Sequence, residues 1–150
     1  MNHEPSCIGF ISTRLAGTDG VSLETAKWAA MLEEMGHHCC YFAGECDRPE
    51  DRCYVVPEAH FKHPRIQAIN ADLFDDYVRQ PATSQTVDAL KADLKEHLYR
   101  FLDHFSPDLL IVENAFAIPM NVPLGLALME VVAETQMPTI GHHHDFAWER

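Results

Sequence analysis

An apolar run late in the sequence breaks abruptly into His142-His143-His144-Asp145, followed by Phe146, Trp148, Glu149 and Arg150. Imidazoles beside a carboxylate can move protons, orient a hydroxyl or ligate a metal. A zinc reading needs a third ligand and an open position, and the sequence contains neither HExxH nor CxxC. Side chains alternate along a strand, so His142 and His144 share one face and His143 points to the other. These residues favour one working imidazole with two structural ones, and no metal. The competing reading is a noncatalytic α/β module that binds a metal or a partner through segment 142–144.

Two further stretches carry chemistry. Glu113-Asn114 directly follows Leu109-Leu110-Ile111-Val112, and a carboxylate at the end of an apolar strand needs a partner or a ligand. A helix N-terminus or a lysine is an equally good partner for it. Gly17-Thr18-Asp19-Gly20 lacks the GK[ST] ending of a P-loop and a complete GxGxxG. The backbone amides of Gly20 and Val21 can nevertheless cradle a single phosphate at the start of a helix. Glu45 stands where a dinucleotide-binding domain places its ribose-binding acid, but without the glycine fingerprint it reads as a solvated loop acid.

The elements that must position these groups are legible from period and punctuation. Residues 7–12 form a nearly continuous apolar run, the pattern of a strand covered on both faces. A helix follows, with Ser22 expected as N-cap, Trp28, Ala29, Leu32 and Met35 at helical spacing, and Gly36 as the stop. Strands are expected at 37–43, 53–56, 108–112 and 139–142. The spacing of Val87, Leu90, Leu94, Leu98, Phe101 and Phe105 predicts a helix over 83–105, ended by Pro107. Another is expected over 123–136, and a short one around 70–78. The alternation β-α-β-β-α-β-α-β predicts an α/β fold, an open, mostly parallel, Rossmann-like sheet of order 3-2-1-4-5 with helices on both faces. Ligands of such sheets bind beyond the carboxyl ends of the strands, at the point where strand order reverses. The 13–20 loop, Glu113-Asn114 and segment 142–145 should therefore share one cleft.

Composition narrows the partners. A chain of 150 residues suits one domain, and eleven basic against twenty-three acidic residues give a formal charge of −12. That balance repels a phosphate backbone, so nucleic acid is excluded as a partner. No run reaches membrane-spanning length, and the start of the chain has no secretory pattern. The five cysteines, Cys7, Cys39, Cys40, Cys46 and Cys53, are odd in number and form no CxxC. They read as bystander thiols of a cytoplasmic protein, and the Cys46 to Cys53 spacing matches no common zinc pattern.

The run Gly17-Thr18-Asp19-Gly20-Val21-Ser22-Leu23-Glu24, the Glu113-Asn114 pair and the segment from Pro138 to Arg150 together resemble the N-terminal domain of family 4 glycosyltransferases. The resemblance implies a retaining, metal-independent enzyme of the two-domain GT-B fold, without cofactor. Its N-terminal domain holds a sugar or other hydroxyl acceptor. A C-terminal domain binds the nucleotide-sugar donor through a basic pair and an E-x7-E motif. Residue by residue, Gly20 matches the glycine loop near the donor phosphate, and His144 the histidine beside the transferred sugar, with Asp145 next to it. Asp19, Glu113 and Asn114 become acceptor-facing candidates. Residues 1–150 would then be an incomplete acceptor-binding domain, inactive without the missing donor domain, and its open sheet edge would favour a homo-oligomer.

Overall fold

The computed structural model describes residues 4–75, 77–146 and 148. Glu149 and Arg150, the end of the segment that carries the resemblance, lie outside the described residues. Five strands, β1 Cys7–Ile11, β2 His38–Ala43, β3 Cys53–Val55, β4 Leu109–Glu113 and β5 Thr139–His142, alternate with four α-helices among the described residues. These are α1 Gly20–Glu34, α2 Pro64–Phe74, α3 Pro81–Phe105 and α4 Val122–Thr135. The sheet runs β3-β2-β1-β4-β5 with every pairing parallel, the order expected from the sequence.

Alternation along each strand builds two cores. Ile11, Cys40, Phe42, Leu110 and Val112 face α3 and α4, where they meet Leu94, Leu98, Phe101, Leu124 and Leu128. Ile8, Phe10, Cys39, Tyr41 and Ile111 face the other way and pack against Ala29 and Leu32 of α1. Phe10, Phe42 and Phe101 are fully buried, each contributing on the order of 2–3 kcal/mol by removal from water. The central strands β1, β2 and β4 are mostly apolar and buried because both faces are covered, whereas the edge strands leave Val55 and Ile140 exposed.

Three expectations change. The helix expected around 70–78 lies earlier, at Pro64–Phe74, because Pro64 opens it and Ile66 and Ile69 supply its buried face. Ser22 is not the N-cap of α1. Asp19 is, accepting a hydrogen bond from the Ser22 backbone N–H at 3.0 Å, while Ser22 lies fully buried inside the helix. Val56 leaves the third strand, and a single turn of 3-10 helix at Pro57–Ala59 follows. Among the described residues, no helix is long and apolar enough to cross a membrane.

Candidate functional site

The chain leaves β1 toward β2 on one side, and β4 lies on β1's other side, so the strand order reverses between β1 and β4. A cleft of about 470 Å³ opens at their carboxyl ends, within the size range of small-molecule sites. Ser12, Thr13, Arg14, Asp19, Gly20 and Val21 form one wall, Asn114, His144 and Asp145 the other, and Phe61 and Met120 complete it. Asp19, Gly20, Asn114, His144 and Asp145 are thus brought together as expected. Glu113 is not on the surface of the cleft; its side chain is fully buried behind it.

Glu113 and Asn114 hold the opposite wall between them. Parallel pairing sets Glu113 beside His142, so their side chains leave the sheet on the same face. Glu113 Oε2 lies 3.0 Å from His142 Nδ1 and 2.7 Å from His144 Nε2. A buried carboxylate is costly unless hydrogen-bonded, and two imidazoles supply the bonds. The His142 ring packs between Trp28 of α1, at 4.7 Å, and His144, at 4.4 Å. Asn114 then turns into the left-handed region, φ 59°. Its Oδ1 accepts the His144 backbone N–H at 2.7 Å. Glu113 therefore fixes the ring of His144 and Asn114 fixes its backbone. His143 faces away, its ring against the position of Gly141 and near Phe146.

The first wall is built around an ion-paired arginine. Arg14 Nη1 donates to Asp19 Oδ2 and Arg14 Nε to Glu45 Oε2, both at 2.9 Å. Burial alone would raise the Asp19 carboxyl, but hydrogen bonds from Ser22 and the nearby Arg14 charge outweigh it and hold the pKa below its ordinary value. Arg14 holds Glu45 below its ordinary value in the same way, chiefly by direct hydrogen bonding. Gly17 adopts φ +75°, which favours glycine at this turn, and an added Cβ there would also press on Arg14 Nη2 at 3.1 Å. The Gly17 amide donates to Asp47 Oδ2 at 2.8 Å. Among the described residues lining the cleft, Arg14 is the only lysine or arginine. Its charge is already matched by two carboxylates, so the surface suits neutral, hydroxyl-rich molecules better than polyanions.

The contributions of Phe61 and Met120 were not legible in the sequence, because Phe61 comes from the connection before α2 and Met120 lies six residues beyond Asn114, near the end of the β4 to α4 connection. The partners of Glu113 were also missed, since they follow it by about thirty positions and meet it only through the register of β4 and β5. Together, Glu113, His142 and His144 each offer one ligand atom, all within 4.8 Å of one another. These are the described residues that could hold a metal ion.

No family model matches the chain. Among curated proteins, it is similar to the mannosylglucosylglycerate synthase of Petrotoga mobilis, 29% identical over 149 residues covering 95% of this chain and 33% of that protein. It is also similar to the mannosylglucosylglycerate synthase of Thermotoga maritima, 30% identical over 145 residues covering 95% of this chain and 32% of that one. The chain spans about a third of the length of these relatives.

Proposed function

We propose that the chain supplies the acceptor-binding part of a glycosyltransferase, a retaining, metal-independent enzyme of GT-B architecture that moves a sugar from a nucleotide-sugar to a hydroxyl. The observation that carries this reading is the similarity, along 95% of the chain, to two enzymes whose name describes the making of a mannosyl glycoside. The cleft supports it: neutral amide, carboxylate and imidazole groups converge at the strand ends, and these are the groups that hydrogen-bond sugar hydroxyls.

In this reading the acceptor hydroxyl attacks the anomeric carbon on the face from which the nucleotide diphosphate departs, and charge develops on the ring and on the leaving oxygen. His144, locked by Glu113 and Asn114, holds the donor sugar, and Asp145 beside it orients a hydroxyl. Stabilising the leaving diphosphate calls for unpaired cations. Arg14 is neutralised by its neighbours, so that role belongs to a donor-binding domain. The relatives' name suggests a glucosylglycerate acceptor and a mannosyl donor. The test is to titrate the chain with glucosylglycerate while following backbone amide signals by NMR. Saturable shifts at Asn114, His144 and Asp145 are expected, and a silent cleft in a folded chain removes the proposal. Efficient transfer by this chain with no other domain present would overturn the division of labour.

A second reading is favoured by one observation, the convergence of Glu113, His142 and His144 ligand atoms. Two imidazoles and a carboxylate suit zinc, and a noncatalytic metal-binding module would use them. Zinc titration separates the readings, because tight stoichiometric binding that displaces the imidazole to carboxylate hydrogen bonds supports the metal.

A further inference from the structure

The connection between β2 and β3 brings two sulfurs together outside the cleft. Cys46 follows the end of β2 and makes an isolated parallel bridge with Leu15, while Cys53 opens β3 in register with Tyr41. A turn of 3-10 helix at Glu50–Arg52 folds the chain back between them. The result is an Sγ to Sγ separation of 2.7 Å. That is inside the roughly 3.5–4 Å at which non-bonded atoms pack and close to the ~2.05 Å of a disulfide. Both side chains are half-buried against the Phe10 and Tyr41 core. The other close pair, Cys7 and Cys40, behaves differently. Its sulfurs lie at 3.8 Å, ordinary contact, and strand register places Cys40 opposite Gly9 rather than Cys7.

We propose that Cys46 and Cys53 form a site of reversible disulfide formation that fastens the 13–20 loop to the sheet edge, with a low-molecular-weight disulfide as oxidant. One cysteine thiolate attacks a sulfur of the small disulfide and expels a thiolate, giving a mixed disulfide. The second cysteine, losing its proton, attacks the protein-side sulfur and expels the other small thiolate. The two cysteines are oxidised by two electrons, the small disulfide is reduced to two thiols, and the two protons end on those thiols. Burial and the neighbouring Cys46 sulfur push the Cys53 thiol up to about 12, so Cys53 is poorly suited to begin the exchange.

The loop closed by this bond is the one that grips the first wall of the cleft. Asp47 accepts the Gly17 amide, and Arg48 Nη2 donates to the Ser22 carbonyl at 2.7 Å. The backbones of Glu45 and Asp47 bond both sides of Leu15. A Cys46–Cys53 bond restricts that loop, and with it the mounting of Gly17 and of the α1 N-terminus. Disulfide formation at this site is independent of glycosyl transfer.

The experiment is to equilibrate the whole chain with a graded ratio of oxidised to reduced glutathione, then block free thiols and map the cysteines by peptide mass spectrometry. Loss of two hydrogens with Cys46 and Cys53 in one linked peptide is expected, Cys7, Cys39 and Cys40 remaining alkylated. Oxidation should raise Tm by roughly 5 °C or more and slow hydrogen exchange at the Gly17 amide. Five alkylated cysteines at every ratio, a Cys7–Cys40 link, or a link only between chains would overturn the proposal. An unchanged Gly17 exchange rate in a correctly linked chain would overturn its fastening role.

Discussion

His144 Nε2 lies 2.7 Å from Glu113 Oε2, and that carboxylate is wholly withdrawn from solvent. The bond calls for a proton on His144 Nε2, which nitrogen-15 NMR reads directly. Glu113→Ala removes the acceptor for two imidazoles and leaves a buried gap, so a loss of about 2–4 kcal/mol is expected. Glu113→Gln keeps the volume but offers one acceptor oxygen for two donors, and should cost about 1–2 kcal/mol. Urea unfolding with unchanged m measures both. A neutral Glu113→Gln would show that the two histidines do not depend on the carboxylate.

Asp19 joins the cap of α1 to the wall of the cleft. Its Oδ1 accepts the Ser22 backbone N–H at 3.0 Å, and its Oδ2 accepts the Ser22 hydroxyl at 2.7 Å. Asp19→Ala should cost about 1 kcal/mol, the usual value of a lost cap. The folded-state pKa is depressed, so the charge-dependent part of that stability is complete above the unfolded value of about 3.9 and is lost as pH falls through the lower folded value. Solvent screening keeps the Arg14 share small, because the Asp19 side chain is 39% exposed. The stability gap between the native chain and Asp19→Ala should stay constant from neutral pH to about pH 5 and narrow in stronger acid. A gap that widens in acid contradicts the assignment.

The strand order could be read from sequence because the central strands β1, β2 and β4 are short, largely buried apolar runs closed by loop residues. Residues 139–142 were bounded correctly, introduced by Pro138, and α3 was found, two residues short at its Pro81 start, because Leu90, Leu94 and Leu98 repeat on one face. The α2 helix was misplaced because only Ile66 and Ile69 of it are buried, too few to set a period. Its opening signal, His63 before Pro64, was present in the sequence. Ser22 has the chemistry of an N-cap, with Glu24 after it, but Asp19 three residues earlier has it too and takes the cap, so Gly20 is the first helical residue. Asp19, Gly20, Asn114, His144 and Asp145 could be assembled from topology alone. That Glu113 stands behind the wall could not, since it depends on which face the Glu113 to His142 register presents.

Gly44 closes β2 against the backbone of the chain at His60. A Cβ built there would lie 2.1 Å from the His60 nitrogen and 2.4 Å from its Cα, and main chain cannot move aside like a side-chain tip. The Gly44 amide is also tied to the Thr13 carbonyl at 3.0 Å. Gly44→Ala should therefore lower stability by about 3 kcal/mol or prevent folding. The check is thermal unfolding by circular dichroism, and a native Tm would mean that this crossing is looser than it stands here.

Gly20 gives the opposite test, because it separates stability from function. A Cβ at this position meets nothing within 4 Å, and its φ is one that other residues adopt. Alanine at the first turn of α1 also removes the backbone entropy that glycine loses on folding. Gly20→Ala should leave stability unchanged or raise it by up to about 1 kcal/mol. The open space around it belongs to the cleft, however, and under the proposed function it is where a donor phosphate approaches the α1 N-terminus. The added methyl should then weaken nucleotide-sugar binding by roughly tenfold, about 1.4 kcal/mol, in an enzyme that includes the donor-binding domain. Calorimetry on the paired proteins decides the matter. Equal affinity with equal stability would place the phosphate elsewhere and leave Gly20 as an ordinary helix start.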